Sequence, residues 1–263
     1  MTPHGRAQAA LWGTDPEGWA AHAERQNETL FAAVLDAAGV TAGTRLLDVG
    51  CGTGRTLRLA ADRGATVSGV DVSGPLLAVA ARVAPEAELF VAELDELPIA
   101  DGVMDAVVGV NAFQFAADPR VALAEASRVL APGGRVVASL FAEPERSEST
   151  VIHRALAALA PPSGHAPYLL SEPGRLDEAM TAAGLTVLDQ GEVECVWTYA
   201  NHDDVVRGLL SSAGGAQAVR AAGREATAAA IRAAAARYTA PDGSVAMLNT
   251  FRWTSALKEG PHA

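Results

Sequence analysis

The stretch Leu46-Leu47-Asp48-Val49-Gly50-Cys51-Gly52-Thr53-Gly54 decides the fold. Its apolar beginning reads as the strand Arg45–Val49, and three glycines at alternate positions then read as a tight turn that opens a helix. Glycine is needed where the backbone turns sharply and a ligand comes close to it. The helix start that follows presents free N–H groups and the positive end of its dipole to that ligand. The dinucleotide-binding fingerprint spaces its glycines as G-x-G-x-x-G. Position 55 is Arg, so that pattern fails. What stands here is G-x-G-x-G preceded by an acid, Asp48.

Outward from this turn, strand and helix alternate. Thr53–Asp62 reads as a helix ended near Gly64, and Thr66–Val70 as a second strand. Ser73 caps a helix that runs to Val83, with Pro75 tolerated in its first turn. Glu88–Val91 and the valine-rich Met104–Val110 are the third and fourth strands. Pro119–Leu130 is a helix stopped by Pro132-Gly133-Gly134, and Arg135–Phe141 is the fifth strand. Valine-rich strands alternating with helices argue for a parallel sheet covered on both faces. Upstream, Leu30, Phe31, Val34 and Leu35 give Ala20–Ala38 the apolar stripe of a helix. Downstream the pattern changes: helices near Val151–Ala160 and Pro173–Ala183, a strand at Leu185–Tyr199, Ala-rich helices over Asp203–Tyr238 broken around Gly214-Gly215 and Gly223, and a last strand at Ser244–Leu257.

Composition sets the bounds. The chain has 263 residues, enough for one large α/β domain or a core with helical additions. With 20 Lys and Arg against 31 Asp and Glu, its net charge of −11 argues against a nucleic-acid partner. Cys51 and Cys195 form no CxxC pair, which argues against a disulfide framework or a structural zinc, so no metal is expected. The N-terminus lacks a signal-peptide core, and no apolar run reaches the ~18 residues of a membrane span. The reading is a soluble, cytoplasmic chain with a small-molecule partner, no membrane association, and room for a homodimer.

Leu46–Gly54 resembles the first motif of the class I S-adenosylmethionine-dependent methyltransferases of small-molecule type. The resemblance covers residues 20–142 most closely. It implies a Rossmann-like, doubly wound, seven-stranded, mostly parallel α/β sheet whose last strand runs antiparallel. It also implies S-adenosylmethionine as cofactor, with Asp48, Gly50, Cys51 and Gly52 around the methionine half. Asp71, with Val72 beside it, ends strand two, where a carboxylate accepts ribose hydroxyls. Ala92–Ile99 resembles the family segment whose acid contacts the adenine amino group and whose next amide contacts the ring; these are Glu93 and Leu94. Asn111 and Ala112, after strand four, lie beside the methionine portion. Phe113 and Phe115 read as core or as walls of the site.

The expected organisation is an N-terminal helical cap (1–39), a cofactor-binding core (40–142), and a remainder (143–263) that completes the sheet. Segments 143–171 and 200–240 are expected to form a substrate lid. Trp19 either shields a sulfonium by a cation–π contact or packs a helix, and Trp12 reads as packing or disorder. A general base is harder to find. His22, His153, His165 and His202 are all candidates, and His153 and His165 are preferred because they lie in the lid segment, with Tyr168 nearby. The activity implied is methyl transfer to O, N or C of a small metabolite. The alternative is a relative that binds the cofactor without transferring methyl and promotes a cyclisation or rearrangement. Loop Asn111-Ala112-Phe113-Gln114 lacks the Pro-Pro-aromatic signature of nucleic-acid amino-methylating relatives.

Overall fold

In the computed structural model, which describes residues 1–160 and 169–260, seven strands form one sheet. They are β1 (Arg45–Val49), β2 (Thr66–Asp71), β3 (Glu88–Val91), β4 (Met104–Val110), β5 (Leu130–Phe141), β6 (Thr186–Tyr199) and β7 (Val245–Leu257). Their order across the sheet is β3-β2-β1-β4-β5-β7-β6. β1 to β5 pair in parallel, and β7 is antiparallel to both β5 and β6. The Rossmann-like doubly wound sheet read from the sequence is therefore present, reversed last strand included. The chain steps outward from β1 to β2 and β3, then restarts on the other side at β4. In such sheets ligands bind in the crevice beyond the carboxyl ends of the strands at that switch point.

The helices are α1 (Pro3–Trp12), the single turn α2 (Pro16–Gly18), α3 (Glu28–Ala37), α4 (Arg55–Asp62), α5 (Gly74–Val83), α6 (Pro119–Val129), α7 (Thr150–Leu159), α8 (Arg175–Ala182), α9 (His202–Leu210), α10 (Ala213–Ala222) and α11 (Arg224–Ala235). Successive strand residues point to opposite faces. Leu46, Ala106 and Val108 accordingly join a core with α3, α4, α7, α9 and α11, through Leu30, Leu57, Ile152, Leu209 and Ile231. Leu47 and Val107 join a second core with α6 and α8, through Leu123 and Met180. Both faces are covered, as valine-rich parallel strands require.

Three local readings are corrected. Ala20–Ala38 is not one helix: a π-helical turn at Trp19–Ala23 and a 3₁₀ turn at Glu24–Asn27 precede α3. The polar side chains of Glu24 and Asn27 are both buried there, and each bonds a residue distant in the chain, Thr53 and Trp197 respectively. The Ala-rich region breaks at Ser211-Ser212, not at Gly214-Gly215, because the Ser212 hydroxyl accepts the Gly215 N–H and caps α10. The break at Gly223, with φ +86°, is as read. Strand β5 starts at Leu130, ahead of Pro132-Gly133-Gly134, with its register against β4 shifted between Met104 and Ala106.

Candidate functional site

The Gly50 turn works because two glycines meet hard neighbours. Gly50 has φ +71°, and a Cβ there would lie 2.6 Å from Ala112 Cβ. Gly52 has φ +55°, and a Cβ there would lie 2.5 Å from Glu24 Oε1. The bare backbone of this turn faces a cavity of about 910 Å³ at the carboxyl edge of the sheet. Trp19, Asp48, Gly50, Cys51, Gly52, Asp71, Val72, Glu93, Leu94, Asn111 and Ala112 all line it. Ten residues picked from strand ends, with Trp19 from the N-terminal segment, thus share one space. His153 lines the same cavity, whereas His22 and His202 are not among its walls. His165 and Tyr168 lie outside the described residues.

Asp71 ends β2 and is 8 % exposed. Its carboxylate accepts the N–H of Gly52 at 3.0 Å and of Ser73 at 2.8 Å. Burial pushes it up to about 6, opposed by the N–H groups of Ser73, Gly52 and Val72. Asp48, 2 % exposed on β1, keeps one carboxylate oxygen buried with no hydrogen-bond partner. Burial raises it well above the usual carboxylate range, with the charges of Glu24 and Asp71 adding to the rise. Asn111 sits at φ +51°, a conformation uncommon for any residue but glycine, and its side-chain oxygen is also buried without a partner. Buried polar atoms left without partners cost free energy. Those of Asp48 and Asn111 fit a wall that a polar ligand completes.

Other residues stand apart from a simple cofactor wall. The Glu93 carboxylate is engaged by the start of α1: it accepts the Thr2 N–H, and the Thr2 hydroxyl at 2.6 Å. The Cys51 thiol packs against Gly69 and stays buried. Phe113 is core at 1 % exposure, while Phe115 lines the cavity and meets Trp12 edge-on at 5.4 Å. Trp12 in turn meets Trp19 at 5.0 Å. Trp12 is therefore ordered packing.

Four functional candidates escape the sequence reading. Glu24 reaches over the Gly52 turn, where its carboxylate accepts the Thr53 N–H at 3.0 Å and the Thr53 hydroxyl. Burial pushes Glu24 up to about 7; the Thr53 N–H, Arg55 and the Trp19 indole N–H oppose the rise, and Asp71 adds to it. At the opposite end of the cavity, Trp197 and Tyr199 come from β6 and Thr150 from α7. The hydroxyls of Tyr199 and Thr150 are buried without hydrogen-bond partners. The inward alternation Cys195, Trp197, Tyr199, against an outward Val196, was the available signal for two of them.

This far end is aromatic. Phe141 meets His153 at 5.4 Å and Trp197 at 5.9 Å, both edge-on. Burial pushes the His153 imidazole down to about 4, so it is neutral near pH 7. Residues of both segments expected as a lid contribute walls: His153, Arg154 and Ala157 from one, Leu209, Gly214 and Gln217 from the other. Among the described residues, no group of three or more His, Cys, Asp or Glu side chains could hold a metal ion, and no helix is long and apolar enough to cross a membrane.

Residues 47–138 match the family described as a methyltransferase domain. The demethylmenaquinone methyltransferase of Renibacterium salmoninarum is 36 % identical over 132 residues, covering 48 % of this chain and 56 % of that protein. The malonyl-(acyl-carrier protein) O-methyltransferase of Pseudescherichia vulneris is 34 % identical over 139 residues, covering 52 % of this chain and 54 % of that one. The chain thus spans about half the length of the curated relatives it matches. Among solved structures, the (4+2)-cyclase SpnF is similar with a TM-score of 0.59 and 25 % identity, over 89 % of this chain and 82 % of that one.

Proposed function

We propose that this chain, whose residues 47–138 are a class I S-adenosylmethionine-dependent methyltransferase domain, transfers a methyl group from S-adenosylmethionine to a small, uncharged acceptor. The observation that carries the reading is the shared cavity: the Gly50 turn and Asp71 at one end, an aromatic chamber at the other. Asp71 would accept the ribose hydroxyls, and Gly50, Gly52, Asn111 and Ala112 would bound the methionine half. Val72 and Leu94 would flank the nucleoside. Glu93 would reach the adenine amino group only by exchanging its contact with Thr2. Bound there, the cofactor supplies a methyl group already activated on sulfonium.

The chain's own residues then have to orient an acceptor and exclude water. Segments 143–171 and 200–240 would do the enclosing. The acceptor end offers rings and neutral hydroxyls. The two arginines at its walls are engaged elsewhere: Arg154 pairs with Glu145 at 3.3 Å, and Arg220 donates to Ala10 O at 2.7 Å. An uncharged, mostly apolar acceptor with one hydrogen-bonding oxygen matches Tyr199 and Thr150. His153, neutral and weakly basic, suits an acceptor whose own O–H or C–H is acidic.

The likeness to SpnF favours one second reading, a cyclisation or rearrangement in the same cavity without methyl transfer. One experiment separates the two. Candidate acceptors are incubated with methyl-labelled S-adenosylmethionine, and label in product is followed together with S-adenosylhomocysteine release. Labelled product with stoichiometric release supports methyl transfer. Product of unchanged methyl content, with the cofactor intact, replaces it with the second reading.

A further inference from the structure

The buried acids above the Gly52 turn outnumber what the fold needs. Glu24 is 7 % exposed, Asp48 2 % and Asp71 8 %, and the three come from three different elements. Buried carboxylates are costly unless paired or hydrogen-bonded. Asp71 is satisfied by backbone N–H groups. Asp48 lines the cavity and keeps one carboxylate oxygen buried without a hydrogen-bond partner. The one cation that acts on Glu24 is Arg55, and its guanidinium is already bonded to Glu28 at 2.5 Å. Among the described residues, these three carboxylates therefore share a wall with no ion-paired cation.

Glu24 is also the acid that the fold has gone out of its way to place. The π-helical turn closes with the Glu24 N–H on the Trp19 carbonyl, five residues back. That spacing puts Trp19 and Glu24 on one face. The carboxylate is then fixed by the Thr53 N–H and hydroxyl, directly over the surface that Gly52 leaves bare. π-turns are rare and are frequently found at functional sites.

We infer that Glu24 is a recognition residue for the amino-acid end of the cofactor, its carboxylate paired with the α-ammonium above Gly52; the inference rests on the cofactor reading given above. A zwitterionic amino acid bearing a sulfonium brings two cations and one carboxylate, which is the balance that this wall lacks. Glu24 and the unpartnered Asp48 oxygen together supply the acceptors for an ammonium. The competing role is structural: Glu24 could only be tying the Trp19–Asn27 segment to the start of α4.

Calorimetric titration of wild type and Glu24→Gln with three probes separates these roles. S-adenosylmethionine carries both cations and the carboxylate. Decarboxylated S-adenosylmethionine keeps the cations and lacks the carboxylate. Methylthioadenosine lacks the amino-acid end altogether. The expected result is at least a tenfold loss of affinity for the first two and less than a twofold change for the third. The ligand-free variant should melt no lower than wild type. An equal loss for all three probes, or a lowered melting temperature alone, makes Glu24 structural and overturns the inference. Tighter binding of S-adenosylmethionine by Glu24→Gln also overturns it, because Glu24 would then be standing where the cofactor's carboxylate belongs. Folded wild type that binds none of the three removes the cofactor reading itself, an outcome distinct from the failure of Glu24.

Discussion

The indole N–H of Trp197 donates to Asn27 Oδ1 at 2.9 Å, and both residues are buried. This bond joins the irregular segment ahead of α3 to β6, and so closes the cavity between its two ends. Replacing Asn27 by Ala leaves a buried donor without a partner. That costs about 1–3 kcal/mol of stability. The double variant Asn27→Ala, Trp197→Phe removes the orphaned donor as well. Urea unfolding should show the pair costing less than the sum of the single changes. Additive losses would mean that the two residues are not coupled.

Asp71→Ala should weaken S-adenosylmethionine or S-adenosylhomocysteine binding by about 1.5–3 kcal/mol, the scale of hydrogen bonds to a charged group. In affinity that is roughly a 10- to 100-fold loss. Calorimetry measures it directly. An unchanged dissociation constant takes Asp71 out of the site.

Glu24 and Asp71, with Asp48 raised in the same direction, give the ligand-free protein one part of its pH response. Their folded values, about 7 and about 6, lie above the ordinary 4.5 and 3.8. The native state therefore binds more protons than the unfolded chain between those limits, and stability falls as pH rises through them. A cationic ligand compensates the charge, so the gain in melting temperature from S-adenosylmethionine should grow from about pH 6 to about pH 8. A gain that is flat across this range contradicts the charge balance of the site.

His153 acts with the opposite sign. Its folded value of about 4 lies below the ordinary 6.5, so its contribution is present above pH 6.5 and is lost as pH falls toward 4. If it serves as the base, kcat/KM should show no acid limb near 6.5, since the imidazole stays unprotonated well below that. An NMR titration of His153 gives the midpoint independently. A midpoint near 6.5 would mean that the chamber is wetter than its burial shows.

Much of the cavity wall around the Gly50 turn was legible because single residues at strand ends carry it. Asp71 follows a short apolar run, and Gly50 and Gly52 stand where only a bare backbone fits. Glu24 was not legible, because α-helical spacing turns it about 140° away from Trp19. Only the extra residue of a π-turn brings the two together, and nothing in the local composition announces one. Glu93 lines the cavity, and its partner Thr2 was missed because α1 went unread. The signal was there: Thr2 caps α1 and Pro3 fills its first turn. The aromatic end depends on contacts between residues far apart in the chain, such as Asn27 with Trp197. Periodicity carries no information about those.

The place of β7 between β5 and β6 has a consequence for biosynthesis. A ribosome makes β6 before β7, and in the finished sheet β6 pairs with β7 alone. Until β7 emerges, the segment bearing Trp197 and Tyr199 has contacts such as Trp197 with Asn27 and Thr198 with Gln26, but no strand beside it. Such an unpaired strand exposes its edge to other chains. The strand that pairs β6 into the sheet is thus the last of the seven to be translated, and a nascent chain stalled before it would hold the Gly50 turn and Asp71 beside an unpaired β6.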